Sequence, residues 1–353
     1  PNGISGLANR IEELGMKFGL WIEPEMVNKD SDLYRKHPDW ILQTPGRRVS
    51  HGRYQYVLDF SRKEIVDYIY GMIAKLLSES NISYIKWDMN RSITECYSIA
   101  YPADQQGEIF HRYILGVYDL YERLTSAFPE VLFESCASGG GRFDPGMLYY
   151  APQGWVSDDS DAVERLKIQY GTSMCYPLSS MGSHVSVIPN HQVFRNTPLH
   201  TRANVAYFGT FGYELDLNKL SDAEIEEVKA QIRFMKEYRE LLQFGTFYRL
   251  KSPFNGNETV WMVVSEDKSK VLVGYYRVLN GVNLPYSCVK LQGLDPDKLY
   301  ENELANTEHY GDELMNLGLL TTDVSAGEVP QGAEPCTDFE SRIYLLKEKQ
   351  STN

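Results

Sequence analysis

The sequence lacks several features that would place the protein in a membrane, secreted or metal-binding class. It contains no run of about 18 apolar residues, so we expect no membrane-spanning helix. The cysteines are odd in number, scattered and without a CxxC pair, which argues against both a disulfide framework and a zinc site. We therefore expect a reducing, cytoplasmic location. The five cysteines are Cys96, Cys136, Cys175, Cys288 and Cys336.

Positive charge is also scarce, because 35 Lys and Arg residues face 48 Asp and Glu residues, a formal net charge of −13. An acidic chain without a Lys/Arg stripe repels phosphate backbones, so nucleic acid is not an expected partner. His184, His191 and His200 lack metal-ligand spacing and no HExxH occurs, so neither a metal nor another cofactor is predicted. A sugar, a peptide or another neutral substrate remains compatible with this composition.

The first two-thirds of the sequence alternates short apolar strands with amphipathic helices, which indicates βα units and a parallel sheet. We predict a closed (β/α)8 barrel, whose functional side chains lie where its strands end. A doubly wound sheet would concentrate such residues at one switch point, and no GxGxxG follows the first strand. Six strand ends carry polar residues, near Glu23, Asp88, Glu134, Asp158, His184 and Asp216.

Local signals predict where several elements begin and end. Gly15 is a plausible end for the first helix. Ser61 with Glu64, and Ser221 with Glu224, have the spacing of capping boxes at the start of two further helices. The segment YVLDF before Ser61 is either a seventh strand or an extended part of a long loop.

After about residue 245 the sequence becomes β-rich, with short strands separated by Gly, Asn, Asp and Pro turns. We predict a barrel domain over residues 1–245 and an antiparallel β-sandwich over residues 246–353. A barrel needs eight strands and the chain opens on a helix, so we expect a C-terminal part of a longer polypeptide, without the first barrel strands. An open or irregular barrel is the alternative.

The stretch YIKWDMNR places charged residues where the pattern predicts a strand. Side chains alternate along a strand, so Lys86, Asp88 and Asn90 share one face while Trp87 and Met89 share the other. Polar groups on one strand face are costly to bury unless they bind each other or a ligand. We expect the lysine to keep Asp88 ionised and its pKa low, which suits a nucleophile. A structural ion pair is the alternative.

The segment GWVSDDSDAVER offers three further carboxylates, Asp158, Asp159 and Asp161. One of them and Asp88, on different strands of one barrel, could form the pair that glycoside hydrolysis requires, a nucleophile and an acid/base. The segment could instead cap the helix that starts near Ala162, bind a cation or face solvent. It does not match the calcium-loop pattern, because the glycine and the terminal glutamate are missing.

Three other positions are candidates for binding. In ESCASGGG, Cys136 ends a strand, and the glycines after it would let a ligand approach backbone N–H groups closely. A cysteine nucleophile has no visible His/Asn partnership, whereas a buried structural thiol remains an alternative. Trp21 could stack on a sugar, and Arg53 could bind a carboxylate or hydroxyl. Either residue could equally serve packing or a salt bridge.

Seven motifs, in this order, resemble those of the glycoside hydrolase family 36 α-galactosidases. They are KFGLWIEPEMV, HPDWIL, YVLDFS, YIKWDMNR, ESCASGGGRFD, WVSDDSDAVER and GSHVS. The resemblance covers roughly residues 1–250, and the β-rich tail resembles the family's C-terminal domain. It implies a retaining α-galactosidase that acts on terminal α-linked galactose in melibiose and raffinose-type oligosaccharides.

The resemblance also implies roles for particular residues. Asp88 matches the family's nucleophile and Asp158 its acid/base. The positions that match its substrate contacts are Trp21, Arg53, Lys86, Asn90, Cys136, Gly139 and Trp155. Family members are often tetramers, so a homo-oligomer is expected. They also carry an N-terminal β-sandwich and first barrel strands that are not among these 353 residues.

Alternative functions within this resemblance are an α-N-acetylgalactosaminidase and a galactosyl-transferring enzyme. The small loop at Cys136 resembles the form that meets a plain 2-hydroxyl, which favours galactose. A carbohydrate-binding homologue without catalytic activity is the alternative from another class, and it is disfavoured because both carboxylates are present.

Overall fold

A computed structural model describes residues 3–282, 286–321 and 337–349 of the chain. The helices are α1 Gly3–Glu13, α2 Asp32–Lys36, α3 Lys63–Glu79, α4 Ile109–Ala127, α5 Pro145–Tyr150, α6 Ala162–Thr172, α7 Leu199–Ala206, α8 Asp222–Phe244 and α9 Gly311–Asn316. The first strands are β1 Gly19–Ile22, β2 Met26–Asn28, β3 Gln55–Val57, β4 Tyr84–Trp87, β5 Leu132–Ser135, β6 Gln153–Gly154, β7 Gly182–Ser186 and β8 Thr210–Glu214. The remaining strands are β9 Thr246–Lys251, β10 Glu258–Val264, β11 Lys270–Arg277, β12 Cys288–Val289, β13 Leu299–Asn302, β14 Thr307–Tyr310, β15 Leu319–Leu320 and β16 Glu340–Glu348.

The chain divides into two compact units, Pro1–Asp158 and Asp159–Asn353. This division lies inside the part of the sequence that was predicted to be the barrel. The predicted domain boundary at residue 245 falls between α8 and β9 and stays a prediction.

The first unit is built on a four-stranded parallel sheet of order β1-β4-β5-β6. Helices α3, α4 and α5 precede β4, β5 and β6 in turn, so the chain forms successive βα units with all four carboxyl ends at one edge. Strand β4 is central, and its Ile85 and Trp87 are fully buried. Trp87 stacks on Tyr121 of α4, with ring centroids 4.0 Å apart. Trp87 and Met89, which were predicted to share one strand face, are both buried.

The second unit contains a parallel pair, β7 and β8, and a larger antiparallel region. A six-stranded sheet of order β14-β13-β16-β11-β10-β9 and a two-stranded sheet β12-β15 make up that region. Val289 of β12 and Leu319 of β15 join the same buried cluster as side chains of β10, β11 and β16, so two sheets enclose one core. This is the layered packing of a sandwich.

The predicted fold class is confirmed: parallel βα units of the (β/α)8-barrel type are followed by an antiparallel β-sandwich. The six predicted strands correspond to β1, β4, β5, β6, β7 and β8. His184 lies in the middle of β7 rather than at its end. The segment YVLDF is not a seventh parallel strand, because β3 pairs antiparallel with β2 in a separate two-stranded sheet.

Two of the three predicted element ends are correct. The first helix ends at Glu13, and Gly15 follows with a positive φ of 76°. Ser221 and Glu224 form a complete capping box on α8. The box expected from Ser61 and Glu64 does not form, because α3 begins at Lys63 after an Arg62 that makes no side-chain cap. Ser61 instead donates its hydroxyl to the buried carboxylate of Asp59.

Among the helices of the described residues, none combines the length and hydropathy that a membrane crossing requires. The described cysteines, Cys96, Cys136, Cys175 and Cys288, carry free thiols. Cys336 lies outside the described residues.

Candidate active site

Asp88 lies directly after the central strand β4, where the parallel sheet of the first unit ends. Its backbone N–H donates to Ile22 O at 2.9 Å, so the pairing of β4 with β1 continues one residue beyond Trp87. The residue is 6% exposed. Burial of a carboxylate is costly unless several donors compensate it.

Hydrogen-bond donors surround the carboxylate of Asp88. Oδ1 accepts from the backbone N–H groups of Met89 at 2.8 Å and Ser138 at 3.2 Å. Oδ2 accepts from Trp21 Nε1 at 3.1 Å and Asn90 Nδ2 at 2.6 Å. Five donors reach these two oxygens when the thiol of Cys136 is included.

The pKa of Asp88 is lowered from its ordinary value. Burial acts to raise it, but the hydrogen bonds from Cys136, Asn90, Ser138 and Trp21 stabilise the ionised form and outweigh burial. The residue is therefore held as a carboxylate at neutral pH, the form that a nucleophile requires.

Lys86 is not among the largest causes of the lowered pKa of Asp88, so the expectation that this lysine sets the pKa was wrong. The carboxylate paired with Lys86 is Glu134, 3.0 Å away and opposite it in the β4–β5 register. The ammonium also lies 4.3 Å from the ring centre of Trp155. Lys86 thus joins β4, β5 and the segment after β6, and its predicted contact with substrate stays a prediction.

Glu23, which follows β1, organises the other polar side chains next to Asp88. Asn90 Nδ2 donates to Glu23 Oε1 at 2.6 Å as well as to Asp88, so one amide joins the two carboxylates. Arg53 Nη1 reaches the same Glu23 oxygen at 3.4 Å, and Gln55 Nε2 donates to Oε2 at 3.0 Å. Sequence reasoning recorded Glu23 as a strand end but assigned it no role.

Arg53 occupies a tight two-residue turn between Gly52 and Gln55. Arg53 and Tyr54 have φ values of 51° and 63°, and Gln55 N–H donates to Gly52 O at 2.8 Å. This is the geometry of a type I′ turn, which favours Asn and Gly, so two bulky residues there are strained. The turn was not foreseen, because no Asn-Gly or Asp-Gly pair marks it.

The two predicted stacking residues differ in their surroundings. Trp21 is 45% exposed, so its ring faces open space while its N–H holds Asp88. Trp155 is only 4% exposed and lies beneath the ammonium of Lys86. Trp21 therefore has the freer ring face for a ligand.

The glycine loop after β5 packs against the segment that carries the second candidate carboxylate. A Cβ atom on Gly139 would lie 2.8 Å from the nitrogen of Asp158, and one on Gly140 would lie 2.4 Å from Val156 O. Gly139 also has a φ of 80°. The glycines thus permit close approach of the chain's own backbone, and the expected approach of a ligand to this loop stays a prediction.

This loop contacts the surroundings of both candidate carboxylates. Ser138 donates to Asp88, and its neighbour Gly139 lies so close to Ser157 and Asp158 that an added Cβ would clash with their backbone. Asp158 is exposed, and it follows the end of β6. The retaining chemistry that the family resemblance implies predicts that the two carboxyl groups lie about 5–6 Å apart.

The other two carboxylates of the SDDSD segment have structural partners. Asp161 accepts from the N–H groups of Val163 and Glu164 at 3.0 and 3.1 Å, so it caps α6. It also forms an ion pair with Arg195. Asp159 Oδ1 accepts from Asp161 N–H at 3.0 Å. Capping was one of the alternatives for this segment, and Asp161 performs it.

Cys136 is buried beside Asp88, and burial, followed by the charge of Asp88, raises the pKa of its thiol. A thiol held in its neutral form is a hydrogen-bond donor rather than a nucleophile. Within the described ranges, no three His, Cys, Asp or Glu side chains form a group that could hold a metal ion.

Comparison with known proteins identifies the family. The family model "Melibiase" matches residues 1–245, and the model for the glycosyl hydrolase family 36 C-terminal domain matches residues 258–346. The chain belongs to the melibiase family. The resemblance to family 36 α-galactosidases is thereby confirmed.

Two named relatives of this melibiase chain are bacterial α-galactosidases. It is 56% identical over 350 residues to α-galactosidase AgaA of Geobacillus stearothermophilus, covering 99% of the chain and 46% of the relative. It is 51% identical to α-galactosidase Mel36A of Lactobacillus acidophilus, covering 98% of the chain and 46% of the relative. The chain thus spans about half the length of the curated relatives it matches.

Solved structures agree with this assignment. The crystal structure of AgaA superposes with a TM-score of 0.94 at 53% identity, covering 99% of this chain and 47% of AgaA. An α-galactosidase from Lactobacillus brevis gives a TM-score of 0.95 at 49% identity, over 100% of this chain and 47% of its own. A variant of AgaA was crystallised with raffinose and another with stachyose.

Proposed function

We propose that the protein containing this chain is a retaining α-galactosidase that removes terminal α-linked galactose from melibiose and raffinose-type oligosaccharides. The observation that carries the proposal is the buried carboxylate of Asp88, ionised by converging hydrogen bonds at the carboxyl end of a barrel strand. Raffinose and stachyose, bound by variants of a relative, support the substrate class.

The proposed reaction is a double displacement. An Asp88 oxygen attacks the anomeric carbon, and the bond to the leaving oxygen breaks as protonated Asp158 gives that oxygen its proton. The product is a galactosyl ester of Asp88. Asp158 then takes a proton from water, whose oxygen attacks the same carbon. The ester bond to Asp88 breaks, which restores its carboxylate and releases galactose with its original configuration.

The surroundings of each carboxylate suit these two roles. Asp88 is buried and its pKa is lowered, whereas Asp158 lies exposed, where a leaving group and water can reach it. Trp21, Arg53, Lys86, Asn90, Cys136, Gly139 and Trp155 are the proposed substrate contacts. No cofactor enters the proposed reaction.

The first prediction is that Asp88→Asn lowers kcat by about 10³-fold or more, because an amide cannot form the galactosyl ester. Hydrolysis of nitrophenyl α-galactoside by the complete protein is the measurement. Near-normal turnover by this variant would remove the nucleophile assignment.

Asp158→Asn is the matched control, and it separates the two roles. Nitrophenolate leaves without protonation, so this variant should lose far more activity on melibiose than on nitrophenyl galactoside. An NMR time course should show α-galactose as the first anomer from the unaltered protein, whereas β-galactose as first product would contradict retention.

We further propose a homo-oligomer, with a tetramer as the specific expectation, and a cytoplasmic location. Free thiols on the four described cysteines support a reducing compartment. Light scattering of the complete protein tests the oligomer, and a monomeric mass would refute it.

A further inference from the structure

Glu25 is a fully buried carboxylate beneath the candidate site, and the proposed reaction does not use it. It lies in the turn between β1 and β2 and has 0% exposure. Both oxygens have partners: Oε1 accepts from Trp87 Nε1 at 2.8 Å, and Oε2 from the Tyr113 hydroxyl at 2.5 Å.

Arg142 completes this network with a bidentate ion pair to Glu25. Its Nη2 donates to Glu25 Oε1 at 2.7 Å and its Nη1 to Oε2 at 3.0 Å. The guanidinium is largely covered, at 16% exposure. Burial opposes its charge, yet Glu25 and the nearby tyrosines raise the pKa of Arg142, so the guanidinium is charged.

The partners of Glu25 lead to Asp88 from two directions. Trp87 immediately precedes Asp88 on β4. Arg142 immediately follows the glycine run, and the same loop presents the Ser138 N–H to Asp88 Oδ1. One buried carboxylate is therefore bonded to both chain segments that surround the proposed nucleophile.

A buried ion pair is a weak source of stability, because desolvation offsets most of its attraction. A pair that joins two segments in one fixed geometry, however, restricts their relative positions. The planar fork of arginine sets both distance and angle, which a lysine cannot reproduce.

We propose that the Glu25–Arg142 pair is a positioning device for the proposed nucleophile: it holds the glycine loop, and with it the Ser138 N–H, against Asp88. This inference rests on the proposed function. Glu25 and Arg142 are positioning residues, since they act on the reaction through Ser138 and Trp87.

The test compares Arg142→Lys with Tyr113→Phe in the complete protein. Arg142→Lys keeps the positive charge but cannot form the bidentate pair with Glu25, so we expect the glycine loop to relax. Tyr113→Phe removes one donor from the Glu25 carboxylate. Arg142 Nη1 still donates to Glu25 Oε2, so the bond between Glu25 and the glycine loop remains. Any general effect of disturbing Glu25 is therefore common to both variants.

We expect Arg142→Lys to lower kcat about 10- to 100-fold with little change in KM, the cost of a small misplacement at the reacting centre. Tyr113→Phe should retain nearly normal kcat.

The pH profile is a readout that a purely structural role would not move. The Ser138 N–H helps to lower the pKa of Asp88, so a relaxed loop lets that pKa rise. The acid limb of kcat/KM should then move to higher pH in Arg142→Lys and stay in place in Tyr113→Phe. The other ionisable groups that face Asp88, its neighbours or the glycine loop are Cys136, Glu23, Lys86 and Asp158.

A second variant covers the case in which Arg142→Lys does not fold. Glu25→Gln combined with Arg142→Met removes both charges, and such replacements of buried pairs are commonly tolerated. We expect this double variant to fold, to have the same lowered kcat as Arg142→Lys, and to show the acid limb of kcat/KM at higher pH.

Normal kcat and an unmoved acid limb in the folded variants would overturn the inference, as would equal losses in Arg142→Lys and Tyr113→Phe. An unaltered complete protein with no α-galactosidase activity would instead overturn the proposed function, and the inference with it.

Discussion

At the residue scale, the chemistry of Asp88 is set by donors rather than by a cation. Trp21, Asn90, Ser138 and Cys136 each stabilise its ionised form, whereas the adjacent Lys86 is paired with Glu134. A hydrogen bond to a charged group contributes about 1.5–3 kcal/mol, so several of them offset the burial of one carboxylate. A neutral shell of donors also leaves the negative charge on Asp88 available for attack.

Gly139 is the residue where backbone conformation and close packing coincide. We expect Gly139→Ala to destabilise the protein and to lower kcat by about 100-fold, because its Cβ would displace the backbone of Ser157 and Asp158. Urea denaturation and nitrophenyl galactoside hydrolysis measure the two effects.

Gly15→Ala is the matched control for this prediction. Gly15 has a similar φ of 76° but nothing within 4 Å of an added Cβ. Gly15→Ala should lower the free energy of unfolding by only about 1–2 kcal/mol, the cost of the left-handed conformation for alanine, and keep normal kcat. Equal effects of the two substitutions on kcat would contradict the assignment of the glycine loop.

At the element scale, two helices with similar starting sequences begin differently. α8 has the predicted box, with Ser221 N–H donating to Glu224 Oε2 at 2.8 Å. At α3 the corresponding serine is drawn away by Asp59, which also accepts from Ser98 and has no exposed surface. A buried carboxylate cannot hydrogen-bond to water, whereas the N–H groups of an exposed helix end can. The hydroxyl of Ser61 therefore stabilises the protein more by bonding to Asp59 than by capping α3.

These two helix starts give a prediction about pH. Ser221→Ala should cost about 1 kcal/mol through loss of the cap, with little dependence on pH. Ser61→Ala should cost about 1–3 kcal/mol at neutral pH, because it removes a donor from buried Asp59.

The sign of the pH dependence follows from Asp59. Burial raises the pKa of Asp59 although Ser61 and Ser98 act to lower it. A carboxyl whose pKa is raised in the folded state destabilises that state once the pH exceeds the pKa that the same carboxyl has in the unfolded chain. Loss of the Ser61 hydroxyl raises the pKa of Asp59 further. The loss of unfolding free energy caused by Ser61→Ala should therefore become smaller as the pH falls. Urea denaturation at several pH values measures this, and a constant penalty would refute it.

At the scale of the whole molecule, the four described cysteines carry free thiols in different surroundings. Cys175 and Cys288 are exposed, Cys136 is buried, and burial together with Asp59 raises the pKa of Cys96 to about 11. The thiolate is the reactive form, so these four cysteines should differ in reactivity.

We expect iodoacetamide at pH 8 to label Cys175 and Cys288 in the native protein, and Cys96 and Cys136 only after denaturation. Peptide mapping by mass spectrometry measures this. Ready labelling of native Cys136 would contradict its burial, and disulfides in the protein isolated from cells would contradict the proposed location.

The sequence by itself determined the order of βα units, the change to an antiparallel domain and the positions of both carboxylates at strand ends. These properties follow from periodicity and turn residues, which are local along the chain. The family was also accessible, since seven motifs occur in order.

Only the tertiary structure decided which groups meet. Trp21 and Ser138 reach Asp88 from 67 and 50 residues away, and Arg142 reaches Glu25 from 117 residues away. The register between β4 and β5 places Lys86 opposite Glu134, and no local pattern specifies that register. The chemistry of Asp88 therefore depends on contacts between distant segments, which form only when the sheet and its loops are assembled.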